Sequence, residues 1–268
     1  MKIGIIGAGI VGSATAFGLK SKLNEIIVYD KFKSGYQSIK DIVSCDIVFI
    51  CVPTPMKKSG EIDLSAINDS VEQLVNNNYK NIVVIKSTAV SGTTDNLAKK
   101  YADLSFAFNP EFLTEKNSLL DFLDSDRIIV GANDDNVYKK IAQIYVDAGF
   151  KCPIFHTDIK TAEMIKYMSN AFLATKVIFA NEIYQICKKL DIDYREVSKL
   201  VALDERIGKS HLMVPGEDNC FGFSGTCFPK DINALIYLAR ENGYKPNLLE
   251  EVWRTNLLVR KNHDWLKA

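Results

Sequence analysis

Short apolar runs alternate with stretches of helical spacing through the first half of the chain, and helical spacing dominates the second half. Residues 3–6 form a strand pattern, followed at once by Gly7-Ala8-Gly9-Ile10-Val11-Gly12 and a helix over 13–19. A second strand spans 25–29. Residues 46–52 and 81–85 are compact β-branched runs, as strands buried on both faces should be. A short strand precedes Asn109, and a late strand covers 127–131. Strands alternating with helices predict an α/β fold with a doubly wound parallel sheet of the Rossmann type.

From about Asp158 to Leu190 the chain has no Gly or Pro, and Met164, Ile165, Met168, Phe172, Leu173 and Val177 keep helical spacing. Such a helix spans about 50 Å and commonly forms the spine between two domains or two subunits. A helix through Leu200 follows, then a long loop that opens at Asp204-Glu205-Arg206-Ile207-Gly208 and runs to Lys230. Helical patterns over 232–241 and 248–265 complete the chain. The expected organisation is a Rossmann domain at 1–155 and an all-α domain built on the long central helix at 156–268. The boundary is expected between Phe150 and Asp158.

Composition narrows the class. The chain has 268 residues, 47% of them hydrophobic, which suffices for one large or two smaller cores. Lys and Arg total 33, matched by 33 Asp and Glu, so nothing points to nucleic acid or to an anionic membrane surface. The six cysteines (45, 51, 152, 187, 220, 227) show no C-x-x-C pair and no zinc spacing, and the three histidines lie far apart. No metal site and no disulfide framework is expected; free thiols suit a reducing cytosol. Met1 leads directly into the first strand, and no apolar run reaches membrane-spanning length. A soluble cytoplasmic protein is the expectation.

Six stretches carry candidate chemistry. The glycine turn between strand and helix suits a dinucleotide: glycines permit a tight turn and close approach to a pyrophosphate resting on the helix N-terminus. Asp30, eighteen residues beyond Gly12, is placed to hold ribose hydroxyls. Its charge would repel the extra phosphate of NADP, which favours NAD, although Lys31 and Lys33 lie close by. Val52-Pro53-Thr54-Pro55 and Lys86-Ser87-Thr88 both end strands at the carboxyl edge of the sheet, where open α/β folds bind ligands; both are equally plain turn chemistry.

In Asn109-Pro110-Glu111-Phe112-Leu113-Thr114-Glu115 the two carboxylates share a face if the segment is helical, as a solvated acidic face also would. Lys166 and Asn170, four apart on the long helix, project together; a snorkelling lysine beside a polar face gives the same spacing. Finally, Cys227 lies between the small-residue loop Gly222-Phe223-Ser224-Gly225-Thr226 and Phe228-Pro229-Lys230-Asp231. A helix N-terminus and nearby ammonium groups favour the nucleophilic thiolate, with Asp231 as a base. A buried structural cysteine with Asp231 as N-cap fits the stretch as well.

Taken together these motifs resemble the UDP-glucose/GDP-mannose 6-dehydrogenase family. The residues that carry the resemblance are the Gly7–Gly12 turn, Val52–Pro55, Lys86–Thr88, Pro110–Leu113, Lys166 and Asn170 ahead of Ala171-Phe172-Leu173-Ala174, Arg206–Gly208, and Cys227–Asp231, in the family's order along nearly the whole chain. The resemblance implies NAD-dependent four-electron oxidation of a UDP-hexose, most simply UDP-glucose to UDP-glucuronate. Cys227 would carry a thiohemiacetal and then a thioester. Lys166 and Asn170 would stabilise oxyanions, Asp231 with a water would be the general base, and Thr88 and Glu111 would order the hydrolytic water. Gly7, Gly9, Ile10, Val11, Gly12, Asp30, Val52, Pro53, Thr54, Pro55, Ser87, Thr88, Glu115 and Lys230 would contact NAD. Glu111, Phe112, Leu113, Lys166, Asn170, Arg206, Phe223, Ser224, Gly225 and Cys227 would contact the sugar nucleotide.

Arg206 in this family reaches across a dimer interface, so a homodimer through the helical domain is implied. Typical members continue into a third, nucleotide-binding domain, whereas this sequence stops at Ala268. The loop residues Lys209, Ser210, His211, Asp218 and Asn219, with the partner subunit, are expected to substitute for it. Two other readings stay open: a two-electron β-hydroxyacid-type NAD dehydrogenase, and a relative that binds without turnover.

Overall fold

The computed structural model describes residues 1–266; the end of the chain, Lys267 and Ala268, lies outside the described residues. It divides into two compact units, Met1–Thr54 with Asp63–Lys166, and Pro55–Ile62 with Tyr167–Ala268.

The first unit is built on seven strands: β1 (Lys2–Ile6), β2 (Glu25–Tyr29), β3 (Ile47–Ile50), β4 (Ile82–Ile85), β5 (Ser105–Phe108), β6 (Ile128–Ala132) and β7 (Ile154–Thr157). Their order across the sheet is β2-β1-β3-β4-β5-β6-β7. Helices α1 (Ile10–Leu19), α2 (Ile39–Ile42), α3 (Ser65–Asn76), α4 (Thr93–Lys100), α5 (Ser118–Leu123) and α6 (Asp135–Asp147) connect them. β3 and β4 are buried at every position, and successive residues feed opposite faces. Val48, Ile50, Val83 and Ile85 join one apolar cluster, while Ile47, Phe49, Ile82 and Val84 join the other. Helices on both faces explain why these strands read as unbroken apolar runs rather than as alternations.

The strands from β1 to β5 are parallel, but β6 pairs antiparallel with β5 and carries β7 parallel beside it. The late strand thus reverses the sheet's direction. β7 escaped the apolar pattern because two of its four residues, Phe155 and His156, are exposed. The sequence boundary at 155 also falls short of the compact unit. β7 and the first turns of the long helix α7 (Ile159–Lys189) stay with the sheet, Ile159, Ala162 and Ile165 packing into its core.

The second unit contains the rest of α7, α8 (Tyr194–Val201), α9 (Phe228–Glu241), α10 (Asn247–Val259) and the strap 55–62. Ala174, Ile178, Phe223, Ile232, Ile236 and Val252 form one core; Ala180, Cys187, Tyr194, Leu212 and Val214 form another. α10 ends at Val259, short of the expected 265, and a separate 3-10 turn spans Asp264–Leu266. Among the described residues no helix is long and apolar enough to cross a membrane.

Phe49 has no exposed surface at the centre of the sheet. Truncating it to Ala should destabilise the first unit by about 3–5 kcal/mol, read as a lowered midpoint in denaturant unfolding.

Candidate active site

The strand order itself locates a crevice. β1 sends the chain one way to β2, and β3 then begins the run in the other direction, so the carboxyl ends of β1 and β3 flank the switch point. The glycine turn follows β1. Gly7 has φ +97°, and a Cβ there would meet the Cys51 carbonyl oxygen at 2.5 Å; a Cβ on Gly12 would meet the Gly7 carbonyl oxygen at 1.8 Å. These two glycines are therefore required by the turn. Gly9 differs, because a Cβ there would touch nothing within 4 Å. It is the N-cap of α1 and offers no side-chain cap to the first N–H groups. Open space over uncapped N–H groups is what a pyrophosphate needs.

Asp30 closes the turn from behind. Its carboxylate accepts the N–H groups of Ala8 at 2.8 Å, Phe32 at 2.9 Å and Lys33 at 3.1 Å. Burial works to raise its pKa, but these N–H bonds and the Lys33 charge outweigh it and hold the carboxyl below its ordinary value. Lys33 Nζ donates to the Ala8 carbonyl at 2.6 Å, and Lys31 pairs with Asp69 at 3.0 Å. Both lysines are thus engaged within the unit. Beyond β3, Ser87 Oγ donates to the Val52 carbonyl at 2.7 Å, tying the ends of β3 and β4 together. Thr54 is buried, and Pro55 already belongs to the strap.

Beside this edge lies a buried polar chain. Lys86 Nζ donates to Asn109 Oδ1 at 2.8 Å, and the Asn109 amide reaches the Ile129 carbonyl at 2.7 Å. Burial pushes the Lys86 ammonium down to about 8. Two residues on, Glu111 forms an ion pair with Lys166 at 2.9 Å, and Lys166 Nζ also donates to the Glu111 carbonyl at 2.6 Å. The second carboxylate oxygen accepts the Leu113 N–H at 2.7 Å. Burial acts to raise the Glu111 pKa, yet Lys166, that N–H bond and Lys86 lower it overall, so it stays a carboxylate. Lys166 is accordingly a paired interior charge and not a snorkelling surface lysine. Phe112 is flanked by two cations, with Arg127 Cζ 4.6 Å and Lys166 Nζ 5.6 Å from its ring centre. Thr88 is half-buried where the chain leaves β4.

In the second unit, Cys227 is the N-cap of α9, which no side chain caps. The helix begins at Phe228, four residues before the expected 232. Pro229 sits in its first turn, where the missing proline N–H costs nothing. Asp231 is consequently not an N-cap. It lies inside the first turn, 1% exposed, and accepts from Asn170 Nδ2 at 2.5 Å while pairing with Lys230 at 2.5 Å. Cys227 is half-buried and is not in a disulfide.

These motifs have counterparts elsewhere. Residues 31–148 match the UDP-glucose/GDP-mannose dehydrogenase family, NAD binding domain, and residues 160–257 match the same family's central domain. The chain belongs to the UDP-glucose/GDP-mannose dehydrogenase family. It is 39% identical over 234 residues to a UDP-glucose 6-dehydrogenase of Rickettsia bellii, spanning 84% of this chain and 52% of that protein. Among solved structures, a UDP-glucose dehydrogenase from Pyrobaculum islandicum aligns with TM-score 0.86 and 29% identity, over 96% of this chain and 68% of that one. A Mycobacterium tuberculosis 3-hydroxyisobutyrate dehydrogenase shares the fold at TM-score 0.77 and 14% identity, over 94% of this chain and 91% of that one. The chain thus spans about half the length of the Rickettsia relative.

As a member of this family the chain carries its NAD-binding domain, and the glycine turn ahead of residue 31 fits NAD on its own geometry. Several expected positions need correction. Residues 109–114 are irregular and α5 starts only at Ser118, so Glu111 and Glu115 do not share a helix face; the Glu111 side chain is only 9% exposed, while Glu115 is exposed on a turn. The cause is the carboxylate of Glu111, which takes the Leu113 N–H in a local turn. Phe223 is 4% exposed and its ring lies in the apolar core beside Trp253, so only its backbone borders the cysteine loop. Ser224 is half-buried, and Gly225 has φ +76° with open space around it.

Arg206 is exposed and pairs with Asp204 at 2.6 Å, while Lys176 holds the Ile207 carbonyl at 2.8 Å. Of the loop residues expected to face a nucleotide, Asp218 is engaged with buried Arg260 at 2.5 Å, and the His211 ring packs on Phe228 with centroids 5.5 Å apart. Burial, with the Lys176 charge, pulls the His211 pKa down.

Sequence reading missed the residues that fix the cysteine loop. Asn256 on α10, fully buried, accepts the Phe223 N–H at 2.8 Å and donates to its carbonyl at 3.2 Å. Asn181 on α7 accepts the Gly222 N–H at 3.0 Å. The available signal was an asparagine amid apolar helical residues, which must find polar partners if buried.

Asn256→Ala would orphan both groups of Phe223 and should cost about 1–3 kcal/mol, measured by chemical unfolding. For Lys86, a folded pKa near 8 against 10.5 means the folded state binds fewer protons between those values. Stability should therefore rise with pH from 8 towards 10.5, and Lys86→Met should remove that slope in unfolding measured across the range.

Proposed function

We propose that this chain carries the NAD-dependent, four-electron oxidation of a UDP-hexose, most simply UDP-glucose, to its uronate. The observation that carries the reading is Cys227 at an uncapped helix start, one turn from a buried carboxylate held by both Asn170 and Lys230. Bound NAD accepts a hydride at each of the two oxidations. The first unit would bind it through Gly7–Gly12, Asp30, Val52–Thr54, Ser87, Thr88 and Glu115, and Lys230 would assist.

The chain's own groups have the following parts. Asp231, through a water, takes the proton of the sugar's C6 hydroxyl as that carbon becomes an aldehyde. The Cys227 thiolate adds to the aldehyde, forming a C–S bond and an oxyanion that Lys166 and Asn170 stabilise. Loss of hydride from this thiohemiacetal leaves a thioester. Water ordered by Thr88 and Glu111 then attacks, the C–S bond breaks, and the thiolate departs. One alcohol, two NAD and one water give one carboxylate, two NADH and three protons. A catalytic thiol of this kind suits the reducing cytosol.

We further infer a homodimer. Met168, Phe172, Phe179, Ile186 and Leu190 are 47–67% exposed. At 3.6 residues per turn they fall within about 40° of arc on α7. A second copy laid on this stripe would cover it, and exposed Arg206 would then be free to serve the partner's substrate. Phe172→Asp should shift the protein towards monomer in sedimentation velocity.

The two-electron reading has the shared fold of the 3-hydroxyisobutyrate dehydrogenase in its favour. The decisive measurement counts NADH formed per sugar consumed, with purified protein, NAD and a panel of UDP- and GDP-sugars. Two per sugar is expected, and Cys227→Ser should abolish uronate formation. One per sugar, unaffected by that change, selects the two-electron reaction; none selects binding without turnover.

A further inference from the structure

Glu163 is completely buried one turn ahead of Lys166, and the reaction outlined above gives it no part. One carboxylate oxygen accepts the Gly92 N–H at 2.6 Å and the other accepts the Thr94 N–H at 2.9 Å. Gly92 is the N-cap of α4, with φ +97° and no side-chain cap of its own. A residue of α7 thus supplies the cap that α4 lacks. Ser91 Oγ adds a bond to the Lys160 carbonyl at 3.2 Å. Together these contacts clamp the first turns of α7 to the segment that begins at Thr88.

The chemistry demands a carboxylate. Both partners are N–H donors, so two acceptor oxygens are needed; an amide offers one and turns its NH2 on the other donor. Burial pushes the Glu163 carboxyl up to about 7, helped by Asp95, while the bonds from Thr94 and Gly92 pull it down. The charged group facing it is Asp95 from α4, which in turn lies 3.9 Å from the largely exposed Lys160.

We propose that Glu163 is a positioning residue: it locks α7 to the Thr88 segment and so fixes how Lys166 and Thr88 are presented to the sugar. This rests on the oxidation proposed above. A displacement of about 1 Å at such groups costs on the order of 10²-fold in rate.

The test compares the full chain with Glu163→Gln and Glu163→Asp, using UDP-glucose and NAD, with amide hydrogen exchange of residues 88–94 as a readout independent of turnover. In Glu163→Gln, kcat should fall by about 10–100-fold with KM for NAD within about twofold, and exchange at 88–94 should quicken while α9 stays protected. Glu163→Asp, which keeps both acceptors, should recover part of kcat. The wild-type kcat should decline below about pH 7 as the carboxylate gains a proton and an acceptor is lost, and Glu163→Gln should lack that limb. An unchanged kcat, an unchanged acid limb, or a uniform loss of protection across both units would overturn the proposal. If wild-type protein makes no NADH, the oxidation reading has failed; unchanged exchange at 88–94 in the Gln variant then overturns the clamp, and quickened exchange leaves it a clamp without the catalytic role, which also overturns the proposal.

Discussion

A charge taken out of water must be paired, and in this chain that requirement fixes how α7 is set. Glu111 and Asp231 are both buried carboxylates, and each is bound by a side chain of α7, Lys166 and Asn170 respectively. Breaking a buried pair by removing one partner costs about 3–5 kcal/mol, because the other charge is left stranded. The rotation of α7 about its axis is therefore not free. Any turn that withdrew Lys166 from Glu111 would also withdraw Glu163 from the start of α4. Lys166 and Asn170, which the proposed oxidation would use to stabilise oxyanions, are held by the same bonds that satisfy the interior.

Much of this was legible beforehand, and the reasons are physical. β2 was found at its observed ends because the β-branched run Ile26–Val28, flanked by Glu25 and Tyr29, is bounded by Asn24 and Asp30. The long helix was found to within a residue at either end because no Gly or Pro interrupts it. The start of α9 was misplaced because Pro229 reads as a break, although proline in a first turn merely lacks an N–H that would be unpaired anyway. Spacing alone leaves open whether 109–115 is helical, with two facing glutamates. A side chain that caps its own backbone two residues on leaves no helical periodicity to detect. Asn181, Asn256 and Glu163 were passed over for one reason: each is polar, and polar helical residues are by default assigned to solvent.

That default fails on α7 in an instructive way. Taking Lys166 as the origin and 3.6 residues per turn, Glu163, Lys166, Asn170 and Asn181 lie within about 60° of arc. All four are buried, the most exposed at 8%. Met168, Phe172, Phe179, Ile186 and Leu190 occupy the opposite side and are exposed. The helix departs from the amphipathic rule in two stripes only: polar residues share the interior with buried Ile159, Ala162, Tyr167, Ala174, Ile178 and Cys187, while one apolar row is left outside. Apolar spacing alone predicted the helix, but it made no statement about which residues face inward.

The buried polar stripe follows from what surrounds the helix. A stripe of buried polar groups can exist only where each finds a partner, so it marks where backbone and carboxylates converge on α7: Gly92, Thr94, Glu111, Gly222 and Asp231. The far stripe has no such partners, and apolar side chains there lower the free energy only if something apolar covers them. A contiguous exposed row of this kind is uncommon on a monomer. One uninterrupted helix thus presents a buried polar stripe and an exposed apolar row; under the oxidation and the dimer proposed above, the first would serve chemistry and the second association. A glycine or proline anywhere along it would kink or loosen the helix and disturb both faces together, which accounts for the absence of either residue from Ile159 to Lys189.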